Sequence, residues 1–112
     1  MEKKEKDNLK HRIGYCLRKI ISQNKDLGLD DEGSNSDNIS SLRKLAASSG
    51  IEYAIVQKIT SGKKNPAYTT LVAIAEGLNI TLAEFFKIHD SISDEELKAD
   101  LNSQKRKKSK KK

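Results

Sequence analysis

The chain has 112 residues, of which 34% are charged and 35% hydrophobic, so it provides for one small domain with charged tails and excludes a large catalytic cleft. Its formal net charge of +6 comes from the last eight residues, KRKKSKKK, because the remaining 104 residues hold 15 basic and 16 acidic groups. A single cysteine excludes an internal disulfide and a cysteine-based metal site, and the lack of a long apolar run or signal-peptide core predicts a soluble, intracellular protein.

The first predicted helix follows a flexible N-terminus over residues 1–7 and begins at a capping Asp7 or Asn8. Its apolar residues recur at spacings of three and four, as in a helix with one buried face. These residues are Leu9, Ile13, Cys16, Leu17 and Ile20. The helix is expected to end near Gly28 and to hold Cys16 as a buried, reduced thiol. His11 is expected at the surface, and so is His89.

Residues 22–38, SQNKDLGLDDEGSNSDN, contain five acidic residues, one lysine and no aromatic residue. This composition predicts an exposed and mobile acidic loop. Two interpretations stay open. The loop is an insertion tolerated at the surface, since long loops cost little stability, or it is an arm with a binding role of its own.

The segment Leu42–Pro66 predicts two short helices joined at an angle by a glycine turn. Ser41 is expected to cap the first helix, and Gly50 is expected in the turn, where a positive φ is required. The buried positions recur at helical spacing and are Leu45, Ala46, Ile51, Val56 and Ile59.

The second helix of this pair, predicted over residues 52–61, has an opposite face that is free to meet a partner. That face carries Glu52, Tyr53, Ala54, Gln57 and Lys58. Gly62 is expected to end the helix in a left-handed conformation. The loop that follows contains Lys63, Lys64 and Asn65 and is closed by Pro66.

Three further helices are predicted. One spans residues 69–76 and is terminated by Gly77. The next begins with a capping box of Thr81 and Glu84 and a hydrophobic staple of Ile80 and Phe85. A similar arrangement of Ser93 with Glu96, and of Ile92 with Leu97, predicts a short helix that ends at about Leu101.

The stretch from Leu42 to Phe86 resembles the helix-turn-helix of the Cro and lambda-repressor type, also called the XRE family. The resemblance rests on the register of Leu45, Ala46, Gly50, Ile51, Val56 and Ile59, then on SGKKNP, a helix rich in Leu and Ala, and ITLAEFF. It implies an all-α fold, with a compact five-helix lambda-repressor-like DNA-binding domain over residues 8–90. A short sixth helix over 91–102 and a disordered polybasic tail over 103–112 are expected to follow. The loop at 22–38 departs from the family, whose first two helices are joined tightly.

A recognition helix presents its N-terminal half to base edges, while nearby amides and amines hold the phosphates. Base contacts are therefore expected from Tyr53, Ala54, Gln57 and Lys58. Phosphate contacts are expected from Ser41, Arg43, Ser61, Lys63, Lys64 and Asn65. Tyr68 is expected in the core, with a phosphate contact as the alternative.

Two residues depart from the family at this surface. Thr60 occupies a place where relatives often have glutamate, and Leu42 replaces a polar residue, frequently glutamine, that in phage repressors bridges phosphate and the reading helix. The usual polar brace is therefore not expected in this chain.

The resemblance implies a DNA-binding transcriptional regulator, and we expect a repressor that acts as a homodimer on a palindromic operator, because one helix-turn-helix buries too little surface for strong specificity. Phe85, Phe86, Ile88 and Ile92 are the candidates for the dimer surface, with burial in the core as their alternative. A bacterial or phage-encoded protein of the cytoplasm, associated with the nucleoid, is expected.

A second hypothesis is an antitoxin or an adaptor that uses the same fold to bind a protein partner, through the acidic loop or the region 88–101. If the acidic loop is a functional arm and not a tolerated insertion, it competes with DNA or contacts a partner. No enzyme activity, cofactor, metal, membrane contact or small-molecule substrate is expected. The KRKKSKKK tail has three open interpretations: non-specific binding of nucleic acid, nuclear localisation in a eukaryotic cell, or a solubility segment or anionic-surface tether.

Overall fold

The computed structural model of this chain describes residues 2–26 and 41–110, with the side chains of residues 25–26 and 105–110 left aside. The described residues form six helices and no strand, which confirms the all-α fold. The helices are α1 (Lys3–Asp26), α2 (Leu42–Ser49), α3 (Tyr53–Thr60), α4 (Tyr68–Gly77), α5 (Leu82–Ser91) and α6 (Asp94–Lys110). None of the helices in these ranges has the length and apolar character needed to cross a membrane.

One hydrophobic core joins the helices. α1 packs against α3, α5 and α6, while α2 packs against α3 and α4, and α4 against α5. The side chains with the least exposure come from five helices and are Cys16, Leu17, Leu45, Val56, Ile59, Ile74 and Phe85. The predicted burial of Cys16 is confirmed. Leu9 is predicted on the same buried face, but 43% of it is exposed, and it lines an open depression together with Leu97 and Leu101 of α6.

Helix α1 is longer at its start than the sequence predicts. It begins at Lys3, so Asp7 and Asn8 lie inside it and cap nothing. The Lys6 N–H donates to the Glu2 carbonyl at 3.1 Å. Lys and Glu are good helix formers, and the segment lacks Gly and Pro, so the helix extends without a capping residue. At the other end α1 continues to Asp26, which makes residues 22–26 of the predicted loop helical; Gly28 and residues 27–40 lie outside the described residues.

The link between α4 and α5 contains a left-handed residue two positions after the glycine that ends α4. α4 ends at Gly77 as expected, but Asn79 is the residue with positive φ, at 61°. Gly77 instead allows α2 to approach closely, because a Cβ there would lie 2.9 Å from the Ser49 Cβ. The Ser48 hydroxyl also donates to the Gly77 carbonyl at 3.0 Å. The capping box of Thr81 and Glu84 is present in full and confirms the predicted start of α5.

Helix α6 begins as predicted but is not short. The Ser93 hydroxyl accepts from the Glu96 N–H at 3.1 Å. The Glu96 carboxylate does not complete a capping box; it accepts from the Tyr15 hydroxyl at 2.6 Å and from the Lys19 amine at 2.9 Å. The helix then continues past Leu101 to Lys110, into the segment predicted to be disordered. Residues 94–110 contain no Gly or Pro, and cations near a helix C-terminus are favoured by its dipole.

Three predicted exposures are wrong. His11 is buried, with 8% exposed, and its Nε2 donates to the Asp100 carboxylate at 2.8 Å. His89 is half-buried and its Nδ1 lies 2.9 Å from Asp90 Oδ1. Tyr68 is not in the core, because 71% of it is exposed at the start of α4. Periodicity does not decide these cases, since each depends on which helix crosses over the residue.

Candidate nucleic-acid interface

The α2–turn–α3 unit has the geometry that the sequence predicts. The Ser41 hydroxyl caps α2 by accepting from the Lys44 N–H at 3.2 Å. Gly50 has φ +74°, and its N–H donates to the Ala46 carbonyl at 3.0 Å. A β-carbon makes this left-handed conformation costly, so glycine is the residue that closes the turn with least strain. The unit therefore caps the end of α2 at Gly50 and starts α3 at Tyr53, and the two helices pack against each other.

Helix α3 has one buried and one exposed face. Val56, Ile59 and Thr60 are buried against the core. Ala54, Gln57 and Lys58 are exposed on the opposite side. Glu52 stands at the N-cap without a side-chain capping bond, so only its charge is placed to favour the positive end of the helix dipole. Three of the four predicted base-contacting residues thus share one exposed face.

The fourth, Tyr53, is half-buried and tied to α2. The Arg43 guanidinium carbon lies 4.5 Å from the centre of the Tyr53 ring, which is a cation–π distance. A predicted phosphate-contacting residue therefore covers one face of a predicted base-contacting residue. This pairing fixes the first turn of α3 against α2, and it was not visible in the sequence because the two residues belong to different helices.

The segment after α3 folds back onto the end of the helix. The N–H groups of Lys63 and Lys64 both donate to the Lys58 carbonyl, at 2.9 and 3.1 Å, and the Ser61 hydroxyl donates to the same carbonyl at 3.1 Å. Gly62 has φ +79°, as predicted for the residue that ends the helix. Lys63 and Lys64 are exposed. The two amines are therefore carried by a backbone that is hydrogen-bonded to α3 itself.

A shallow depression joins five of the ten predicted contact residues into one surface. It is lined by Leu42, Ala54, Gln57, Lys58, Thr60, Ser61 and Lys63. Asn65 borders a different depression, formed with Lys6, Leu9, Ile13 and His89. The structure thus groups Ala54, Gln57 and Lys58 with Ser61 and Lys63, leaves Tyr53 outside this depression, and places Asn65 towards α1.

The two departures from the family pattern have simple structural outcomes. Thr60 is buried, and its hydroxyl donates to the Gln57 carbonyl of its own helix at 3.1 Å. Leu42 is half-buried and packs against the core. Neither residue presents a polar group at the surface, so a bridge between phosphate and α3 through these positions does not form.

The strongly perturbed ionisable groups lie elsewhere, on α1 and α6. Burial raises the pKa of the Cys16 thiol to about 12 and, together with donation to Glu96, raises that of Tyr15 to about 12. Both groups are therefore protonated at neutral pH and are poor nucleophiles. Within residues 2–26 and 41–110, no three His, Cys, Asp or Glu side chains are grouped in a way that could hold a metal ion.

Comparison with protein families gives a match for residues 38–85, to the family described as helix-turn-helix. The matched range contains α2, α3 and α4 and the first residues of α5. It leaves out α1 and α6. Neither the curated proteins nor the solved structures give a match to the chain.

Proposed function

The chain belongs, through residues 38–85, to the helix-turn-helix proteins of the Cro and lambda-repressor type, and from this premise we propose that it represses transcription by placing α3 in the major groove of an operator. The family is one of DNA-binding regulators. The observation that carries the more specific proposal is the exposed face of α3, which stands beside the amines of Lys63 and Lys64.

Each exposed side chain of α3 suits a different base edge. The Gln57 amide matches the donor and acceptor pattern of adenine, and the Lys58 amine matches the two acceptors of guanine. The Ala54 methyl suits the methyl group of thymine. Tyr53 is held by Arg43, so we propose that only the uncovered part of its ring and its hydroxyl meet DNA.

Phosphate binding is assigned to the residues around the two ends of this unit. Lys63 and Lys64 supply positive charge at the end of α3, with Ser61 between them and the helix. Ser41 and Arg43 stand at the start of α2, where free N–H groups favour an anion. Asn65 keeps a weaker assignment, because it faces the depression on the α1 side.

We further propose a homodimer on two half-sites about one helical turn apart, because a single module of this size gives limited specificity. Two of the four residues expected at the dimer surface, Phe85 and Ile92, are buried in the core of one chain. Phe86 and Ile88 are half-buried and pack against that core. The homodimer proposal therefore rests on the limited specificity of a single module and not on this patch. The place of action is the cytoplasm, at the chromosome.

The test is selection of binding sites from random duplex DNA with the intact chain, Lys58→Ala and a control, Lys87→Ala. Lys87 is an exposed lysine on α5, away from the proposed surface. We expect a palindromic motif for the intact chain, a loss of preference at one position per half-site for Lys58→Ala, and an unchanged motif for Lys87→Ala. If no motif is enriched, the antitoxin or adaptor hypothesis replaces operator binding.

A further inference from the structure

The carboxyl end of α3 is held by α1 at backbone distance. A Cβ on Gly14 would lie 2.5 Å from the Ile59 carbonyl oxygen and 2.8 Å from that of Thr60. Glycine is therefore required where α1 crosses the last turn of α3. One turn farther along α1, Arg18 Nε donates to the Thr60 carbonyl at 3.0 Å. This places a guanidinium at the negative end of the α3 dipole, where a cation is favourable.

The same arginine joins α3 to the C-terminal helix. Its two terminal nitrogens donate to both carboxylate oxygens of Asp100, on α6, at 2.9 and 2.8 Å. A bidentate pair of this kind has a defined orientation as well as charge attraction. Arg18 therefore links a carboxylate on α6 to the last carbonyl of α3, and each of its three side-chain nitrogens donates one hydrogen bond.

Asp100 is itself fully hydrogen-bonded. Besides Arg18, it accepts from His11 Nε2 at 2.8 Å and from Gln104 Nε2 at 3.1 Å, and its side chain is only 13% exposed. His11 also lies next to the segment after α3, because its Cα would be 3.4 Å from a Cβ on Gly62. The carboxylate is thus fixed between two α1 residues that both touch the end of α3 or the loop after it.

We propose that Arg18 and Asp100 are positioning residues for DNA recognition, and that α6 controls the orientation of the recognition helix through them. Neither residue lies within the range that matches the helix-turn-helix family. The inference rests on the proposed function, since it concerns how α3 is presented to DNA. The Arg18–Asp100 pair keeps the last turn of α3, and with it Lys58 and the backbone of Lys63 and Lys64, in the orientation that binds the operator.

The sharpest variant is Asp100→Asn, because charge and positioning predict opposite results. Removing an acid raises the net charge of a DNA-binding protein and, by charge alone, strengthens its binding. If the pair positions α3, its loss instead loosens α3 and weakens DNA binding. Asp94→Asn is the matched control: the charge change is the same and the helix is the same, but the Asp94 carboxylate contacts Arg12 and not the Arg18 network.

We expect Asp100→Asn to bind the selected operator about tenfold more weakly than Asp94→Asn, the effect of losing one charge-assisted hydrogen bond. Binding to random DNA is expected to change little. Arg18→Lys is the second variant. This variant keeps the positive charge, but an amine cannot donate hydrogen bonds to the Thr60 carbonyl and to both carboxylate oxygens in one plane. We therefore expect a lower operator affinity, with the same dependence of affinity on salt as in the intact chain.

Amide hydrogen exchange gives a readout that needs no DNA. The N–H groups of Lys63 and Lys64, bonded to the Lys58 carbonyl, should exchange about tenfold faster in Asp100→Asn than in Asp94→Asn, while the core amides of α4 stay protected. Equal exchange and equal operator affinity in the two variants would overturn the inference. If the intact chain selects no operator, the proposed function fails, and faster exchange in Asp100→Asn would then support the positioning of α3 alone.

Discussion

Gly14 and Gly50 are required for different physical reasons, and substitutions can distinguish the two reasons. Gly14 lies against the α3 carbonyls, whereas nothing stands within 4 Å of a Cβ at Gly50, whose φ is +74°. Gly14→Ala and Gly50→Ala are each expected to lower the free energy of unfolding, by about 1–3 kcal/mol for the steric clash and by about 1–2 kcal/mol for the strained φ.

Asparagine distinguishes the two causes, because it tolerates the left-handed conformation. Gly50→Asn should recover much of the stability in urea unfolding, while Gly14→Asn should be no better than Gly14→Ala. Equal rescue at both positions would show that the backbone distance between α1 and α3 is not the constraint.

A second prediction at the residue scale concerns acid stability. Donation from Arg18 outweighs burial and lowers the pKa of Asp100 below its ordinary value of 3.8. The pKa is lower in the folded than in the unfolded chain, so this carboxylate contributes stability above about pH 4 that is lost as pH falls through its folded pKa. The free energy of unfolding should therefore fall less steeply between pH 5 and 2 in Asp100→Asn than in the intact chain.

Asp94→Asn is again the comparison, since its carboxylate is 87% exposed. Its stability should follow the pH dependence of the intact chain. Urea unfolding at several pH values measures all three proteins, and an Asp100→Asn profile that parallels that of the intact chain would contradict the prediction.

At the scale of the helices, the capping box at the start of α5 is a place where local sequence and structure agree in full. The Thr81 hydroxyl accepts from the Glu84 N–H at 3.0 Å and the Glu84 carboxylate accepts from the Thr81 N–H at 3.0 Å. Thr81→Ala is expected to cost about 1 kcal/mol in the free energy of unfolding, because one N–H of the first turn loses its partner. Thr81→Ser keeps the hydroxyl and should retain most of the stability; a loss as large as for alanine would mean that the methyl group, not the cap, is important.

The ends of α1 and α6 are where local sequence and structure disagree. Both helices continue through charged segments that have no capping residue and no helix breaker. α1 begins as early as Lys3, and α6 ends as late as Lys110. Their charged composition predicts flexible or disordered segments. Helix propensity along such segments is favourable, and each extends a helix that tertiary contacts already hold.

At the scale of the whole molecule, charge and recognition lie in different parts of the chain. The seven positive charges of residues 105–112 exceed the net charge of the protein, whereas the proposed base contacts are on α3. A chain that ends at Gln104 should bind random DNA more weakly, and its affinity should depend less on salt. The slope of log K against log salt should become less steep by at most about six, because each of the seven lost charges contributes roughly 0.9 when it neutralises a phosphate.

The operator motif should survive that truncation. Lys63→Gln, which removes one proposed phosphate contact, should lower the slope by about one in the full chain. Titrations at four salt concentrations measure both effects. A slope that does not change on removal of residues 105–112 would exclude the tail from DNA binding.

The sequence by itself determined the helix-turn-helix. Its signals are local, because a cap at Ser41, a left-handed turn at Gly50 and a buried face with Val56 and Ile59 depend only on neighbours within one or two turns of helix. The face of α3 that is exposed follows from the same periodicity. The capping box at Thr81 is local in the same way, and each of these features is present in the structure.

Only the tertiary structure decided how these helices are held together. The bonds from Arg18 to Thr60 and to Asp100 join residues 42 and 82 positions apart. Helix packing likewise decides that His11 is buried and that Tyr68 is exposed. It also places the Arg43 guanidinium over the Tyr53 ring. Periodicity shows that a residue faces a neighbour, but the identity of that neighbour is set by the packing of the whole chain.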